Sequence, residues 1–323
     1  MDQQETDSKP VSRTVLYVIP SLIAVLAIAL SAWWMFASRQ AAVAMDQWLG
    51  RESQAGREWN CADRKIGGYP FRIELECPAL TFTAKDGAVA EVKAGRVLAV
   101  WQIYQPSLII VEFDRALAFT FRSGEKRELK TKSLRMSLHF DGHDLPDRLA
   151  LVGEQVEMPT MFSSQALELH LLRGGEASEP NDLRLYIETQ NTLIEGLKRD
   201  DAKPMTIMAD ARASEGAVLY MHGTGSVLDR WREAGGKLHI NGVKITRGDG
   251  DLQMTGTLAL DETHRLNGKV DMKANGFSDL LDAIGLKAGG FSLNAKAMSL
   301  PLALDLGRIF LGPLKIGEIG PLY

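Results

Sequence analysis

The sequence has little of what usually marks an active site or a nucleic-acid surface. Its 323 residues include two cysteines and six histidines. Two cysteines alone do not make a four-ligand zinc site, and two further ligands are missing nearby. No G-x-S-x-G occurs, so the usual hydrolase elbow is missing. Gly223-Thr224-Gly225-Ser226 is rich in glycine but lacks the lysine of a phosphate-binding loop and leads into a short helix. Lysine and arginine number 37 against 41 acidic residues, a net charge of −4. The first 39 residues balance, with Lys9, Arg13 and Arg39 against Asp2, Glu5 and Asp7. No dense basic patch remains, so nucleic acid is not expected as a partner. With 45 % apolar and 24 % charged residues, wholesale disorder is excluded and a sizeable core is possible.

One long uncharged run is present. No charge occurs from Thr14 to Ser38, and Val15–Phe36 reads VLYVIPSLIAVLAIALSAWWMF. As a helix it extends about 30 Å, the thickness of a bilayer's hydrocarbon core. Tyr17 stands near one end and Trp33 with Trp34 near the other, where amphipathic rings favour the headgroup level. Pro20 falls in the first turns, where a missing N–H costs little. Ala42-Val43-Ala44 offers a signal-peptidase site, but the run exceeds the usual ~7–15-residue signal core, which favours a retained anchor. Lys9 and Arg13 precede the span and Arg39 follows it. The positive-inside bias therefore places the N-terminus in the cytoplasm and exports the rest.

The cysteines, Cys61 and Cys77, flank a strong turn signal, Gly67-Gly68-Tyr69-Pro70. A hairpin centred there sets the two thiols opposite each other, within disulfide reach. Such a bond adds about 3 kcal/mol by loop entropy and requires an oxidising compartment, in agreement with export. The competing reading is a pair of buried free thiols.

Residues 40–59 read as a helix that continues the span. The period then changes from helical to alternating. Phe71, Ile73, Leu75 and Cys77 alternate with Arg72, Glu74 and Glu76. The same grammar recurs over 133–140, 183–188, 252–260 and 266–273, and at Phe291, Leu293, Ala295 and Ala297. Val97–Tyr104 and Leu108–Phe113 are apolar on both faces and are expected at the sheet's buried centre. Their Trp101, Ile103, Ile109, Val111 and Phe113 are the candidate apolar lining. Beyond the span and stalk, helices are few and short; the best candidates are Ser226–Ala234 and Ser278–Ile284, each with a serine N-cap. Glu176–Asp182 and Asp200–Pro204 read as loops.

The expected fold is mainly β. A transmembrane helix (14–38) follows a short tail (1–13), and a helical stalk (39–59) leads to a β-rich region (60–323) whose two halves could meet near 195–205. Many one-sided amphipathic strands make one long apolar sheet face that two short helices cannot cover. The sheet must be a long, curved antiparallel one, either an open trough or a closed sandwich.

Gly67-Gly68-Tyr69-Pro70-Phe71-Arg72-Ile73, set between Cys61 and Cys77, resembles the most recognisable motif of the bacterial domain of unknown function 2125 family. Trp231 with Gly235-Gly236 fits the same pattern. So do the terminal run Pro301-Leu302-Ala303-Leu304-Asp305-Leu306-Gly307-Arg308-Ile309-Phe310-Leu311-Gly312-Pro313 and the ending Gly320-Pro321-Leu322. The resemblance implies a cytoplasmic tail, one membrane helix, a stalk and a periplasmic β-rich region. It supplies no catalytic residues. In architecture alone the chain is also similar to AsmA-like envelope proteins, which are associated with phospholipid transport and outer-membrane maintenance; this speaks for the trough.

Other constellations read as loop chemistry. His139, Asp141, His143, Asp144 and Asp147 crowd together, but Asp141-Gly142 and Leu145-Pro146 are turn signals after a strand. Arg247-Gly248-Asp249-Gly250-Asp251 is short of the oxygen ligands of a calcium loop and suits a hairpin. His170, His222, His239 and His264 are scattered. The expectation is a non-catalytic protein with no cofactor and no metal, anchored in the inner membrane. Its partners would be phospholipid or another lipid held on an apolar groove or, in the alternative reading, other envelope proteins assembled on a periplasmic scaffold. Tyr69, Pro70 and Phe71 read as a rigid turn or as a docking surface near the membrane.

Overall fold

The computed structural model describes residues 13–85, 87–142, 146–174, 181–195, 203–220, 226–275 and 298–322, with 13–16 and 298–300 described by backbone only. The expected helix at 278–284 and strand at 291–297 lie outside the described residues.

Helix α1 runs unbroken from Arg13 to Gln54, so span and stalk form one rod with Pro20 inside it. The stalk expected to residue 59 ends earlier. The chain turns at Ala55-Gly56, where the Ala55 and Gly56 amides bond back to Arg51 and Ser53. The next residues, from Arg57, alternate in burial and enter a strand.

The twenty strands among the described residues belong to one antiparallel sheet. The first ten are β1 Arg57–Ala62, β2 Lys65–Gly67, β3 Arg72–Cys77, β4 Ala79–Ala84, β5 Val89–Ala94, β6 Val97–Gln102, β7 Gln105–Phe113, β8 Ala116–Phe121, β9 Lys126–Lys130 and β10 Ser133–His139. Then come β11 Arg148–Met158, β12 Phe162–Arg173, β13 Leu183–Ile194, β14 Met205–Ala213, β15 Leu238–Arg247, β16 Gly250–Leu260, β17 Leu266–Asn275, β18 Met298–Asp305, β19 Arg308–Leu311 and β20 Leu314–Glu318. The alternating segments at 133–140, 183–188, 252–260 and 266–273 are strands as expected. Gly248-Asp249 is the hairpin turn between β15 and β16.

The topology is simpler than the strand count suggests. From β11 to β20 each strand pairs with the next. Before β11 the strands are halves of long, bent arms. β1–β2 lies beside β3–β4 in one register: Cys61 faces Leu80 on one side of the bend and Lys65 faces Glu76 on the other. The arms β5–β6, β7–β8 and β9–β10 follow in the same way. The bends align at Asp63-Arg64, Pro78, Gly95-Arg96, Asp114-Arg115 and Thr131-Lys132. Pro78 lacks an N–H to give to a ladder. Buried Thr131 shares its hydroxyl proton between the carbonyls of Ser133 and Glu154, the latter also accepting from the Lys132 N–H, so the buried hydroxyl is satisfied by backbone at the bend. β11 pairs with both β10 and β9 across this corner and carries left-handed Gln155 there.

The corner folds the arms onto themselves. Leu117 of β8, Ala94 of β5, Val97 of β6, Val111 of β7 and Leu134 of β10 thereby share one buried cluster with Cys77. A second cluster lies farther along. Helix α2, Val227–Glu233, packs Trp231 against Ala213 and Leu260. It starts at Ser226 as expected, but the serine makes no side-chain cap bond. The Trp231 indole N–H donates to the Ser214 carbonyl at 2.7 Å. Gly236 lies so close that a Cβ there would meet the indole at 2.2 Å, which accounts for glycine at that position of the motif.

The disulfide exists, between Cys61 and Cys77 with Cα atoms 5.6 Å apart. The cysteines are not facing partners, however. Cys61 faces Leu80, three residues beyond Cys77. The bond crosses diagonally over the bend, which swings the two backbones together where the ladder is interrupted. Replacing both cysteines by serine should lower the stability of the detergent-solubilised chain by about 3 kcal/mol, the loop-entropy value for a 16-residue separation. Chemical denaturation of the oxidised wild type and the double variant measures it; equal stabilities would mean that the corner holds without the bond.

Candidate functional site

The candidate site is the apolar face of the sheet together with the junction where the hairpin meets α1. Side chains alternate along each strand, and register decides which ones line up across strands. One lane starts at Ile73 and passes through Trp101, Ile109, Leu138, Leu149 and Leu171. It continues through Leu185, Ala211, Ile240, Gly256, Val270, Leu302 and Leu311. A second, two residues away, runs Leu75, Ala99, Val111, Met136, Leu151, Leu169, Ile187, Ala209, Val243, Met254 and Met272. A third starts at Cys77 and holds Val97, Phe113, Leu134, Gly153, Leu167, Thr189, Ile207, Ile245, Leu252 and Ala274. No charged residue stands in any of the three. At about 4.8 Å per strand step, the first lane follows a path on the order of 50 Å.

The polar interruption in the third lane is satisfied within the sheet. Thr189 is buried, and Thr192 donates its hydroxyl to it at 2.8 Å. Ser164 contacts the Thr192 hydroxyl at 2.9 Å and donates to the Ala166 carbonyl at 2.7 Å. The trio sits where the β13–β14 register shifts. The other face of the sheet carries cross-strand ion pairs. Arg135 meets Glu112 at 3.0 Å, Lys132 meets Glu154 at 3.0 Å and Arg184 meets Asp210 at 2.7 Å.

The lanes are lined but not sealed. Most of their residues from Leu149 to Val243 are half-buried, and among the described residues no large side chain is fully excluded from solvent. A filled sandwich would bury such residues completely. The sheet is open, which decides between the two expected architectures.

At the hairpin, the chain runs back along α1 in three contacts. Near the helix end, Glu52 accepts two bonds from Arg57, each 2.6 Å, and one from the Trp59 indole at 3.2 Å. Trp59 also stacks between Trp48 and Phe82, with centroids at 5.4 and 4.4 Å. Midway, Arg64 pairs with Asp46 at 2.9 Å. At the tip, the Tyr69 hydroxyl lies 2.7 Å from Ser31 Oγ, and the Trp34 indole donates to the Arg72 carbonyl at 2.9 Å. The Trp34 and Tyr69 rings meet edge to face at 5.5 Å.

The motif residues build this tip. Gly67 ends β2, Gly68 to Phe71 form the turn with a cis Tyr69–Pro70 bond, and Arg72 opens β3. Gly68 has φ +93°, and a Cβ there would meet the Arg72 carbonyl at 2.7 Å, so only glycine fits. Of the expected lining, Trp101 and Ile109 stand in the first lane, Val111 in the second and Phe113 in the third. Ile103 does not line the sheet: β6 stops at Gln102, and Ile103 lies in the following turn, its N–H on the Phe71 carbonyl at 3.4 Å. Ser31 and Trp34 went unrecognised as docking points, although a serine inside an apolar run was a signal. His139 and Asp147 do meet, Nδ1 to Oδ1 at 2.6 Å, while Asp141 pairs with Arg173. His143 and Asp144 lie outside the described residues, as does Gly223-Thr224-Gly225.

The polar face has an acid-sensitive pair. The Arg184 guanidinium bonded to Asp210 holds that carboxyl below its ordinary range, against partial burial and with help from Asn241. A folded-state pKa below the unfolded value of ~3.9 stabilises above that pH, and the stability is lost as pH falls through the folded pKa. With Arg184 half-exposed, the contribution is under about 1 kcal/mol. Asp210→Asn should therefore lower the melting temperature slightly at pH 7, by an amount that shrinks as pH falls below the ordinary carboxylate range. An unchanged difference at pH 2 would show that charge is not its cause.

The family described as "Uncharacterized protein conserved in bacteria (DUF2125)" matches residues 34–319. No curated protein and no solved structure matches the chain. The chain belongs to the DUF2125 family.

Proposed function

We propose that this DUF2125 member is a single-pass inner-membrane protein whose sheet lies in the periplasm and holds lipid acyl chains along its apolar lanes, in envelope maintenance or lipid transfer and without catalysis. The observation that carries the reading is three uncharged lanes, continuous across the sheet and mostly half-buried from Leu149 to Val243. Apolar surface of this extent on one face has to be covered, and an acyl chain matches a long, neutral, featureless lining. α1 is long and apolar enough to cross a membrane. The disulfide suits an oxidising compartment, and hence export.

Full-length protein, purified in mild detergent from bacterial membranes, should carry phospholipid in its organic extract well above that of an unrelated single-pass protein. Leu169→Gln with Ile187→Gln should reduce the bound amount about tenfold, the equivalent of ~1.4 kcal/mol. Mass spectrometry of the extracts measures both. Lipid at the level of the unrelated protein would remove the proposal.

A scaffold reading has one observation of its own. Among the described residues β20 pairs only with β19, leaving an edge with exposed Leu314, to which another protein could add a strand. A photocrosslinker replacing Ile316 should then give a discrete protein adduct in intact cells, and none if the edge is idle.

A further inference from the structure

We infer that the end of the sheet bearing Tyr69, Phe71 and Tyr104 reaches through the headgroup layer into the outer acyl region of the bilayer that α1 spans, so that the apolar lanes begin at the membrane surface. The partner is a lipid surface. The inference rests on α1 crossing a membrane, but not on the lanes holding lipid.

The tip's depth is set by its bonds to the helix. Tyr69 contacts Ser31, five residues inside the Phe36 end of the apolar run. At 1.5 Å per residue, that is about 7 Å below the end of the run. The Trp34 indole holds the Arg72 carbonyl at nearly the same level. With the span in a bilayer, the turn must enter it.

The turn has the composition for that place. Tyr69 is 59 % exposed, Phe71 61 % and Tyr104 73 %. Tyr104 belongs to the neighbouring turn, which is bonded to Phe71 through Ile103. Large exposed aromatics gathered at one end of a sheet are costly in water and favoured at an interface. The helix shows the same at this level, with Trp33 and Phe36 both exposed. The first charge after the span is Arg39, and the hairpin becomes charged at Arg72 and Glu74, which pair at 2.6 Å. Ile73, where the first lane begins, is two residues from Phe71.

The test uses the full chain in nanodiscs of phosphatidylethanolamine and phosphatidylglycerol. A photoreactive benzoylphenylalanine replaces Phe71, Tyr104, Ile187 or, at the opposite end of the arms, Ser123. Lipid adducts at 71 and 104 should exceed those at 123 several-fold. Adduct yields at 71 and 104 no higher than at 123 would overturn the inference. Adducts at 71 and 104 with none at 187 would uphold it while removing the lipid-lane reading. Phe71→Asp with Tyr104→Asp should also make the tip accessible to added protease; equal resistance of variant and wild type would count against insertion.

Discussion

Apolar side chains standing on one face of a sheet, strand after strand in register, set the terms for everything else in this protein. Such a face is unstable in water unless something lies over it. The described structure meets the requirement in two ways and leaves part of it unmet. The aligned bends fold the N-terminal arms back, and Val97, Val111, Leu117 and Leu134 cover one another. Helix α2 brings Trp231 over the ends of β14 and β16. Between these clusters the lanes through Leu149–Leu185 and Leu151–Ala209 remain half-buried. The proposed acyl chain would occupy that remainder.

The second organising feature is the seam between helix and hairpin. Both ends combine rings with hydrogen bonds: at the outer end Glu52 holds Arg57 and Trp59 while Trp59 packs against Trp48 and Phe82, and at the inner end Trp34 holds Arg72 and Tyr69. The disulfide staples the same hairpin at its bend. A seam held at several heights keeps the first arms in a fixed orientation to the helix, and each later strand is ordered on the one before it. The start of the lanes is thereby set relative to the span.

Much of this was legible because it is local. Alternation at Leu134–Phe140, Leu183–Ile187 and Leu266–Met272 identifies strands and their apolar faces from period alone. The uncharged run before Arg39 identifies a helix able to span a membrane. Gly68 announces a turn because its backbone conformation excludes a Cβ. The errors lie where distant segments meet. The cysteines were expected to face each other from their spacing about Tyr69, yet the hairpin's register centres between Pro70 and Phe71 and the bend supplies the approach. The apolar run places Ile103 in a strand, but the turn to β7 ends that strand at Gln102.

The sequence by itself determined which residues share a face, where a membrane-length helix stands and which two thiols could join, since each follows from periodicity, composition or short spacing. Only the tertiary structure decided that the faces align into continuous lanes, that the sheet stays open and that Tyr69 docks on Ser31. Those depend on register carried from strand to strand through turns, bulges and aligned bends, and on packing between segments far apart in the chain, which no local pattern encodes.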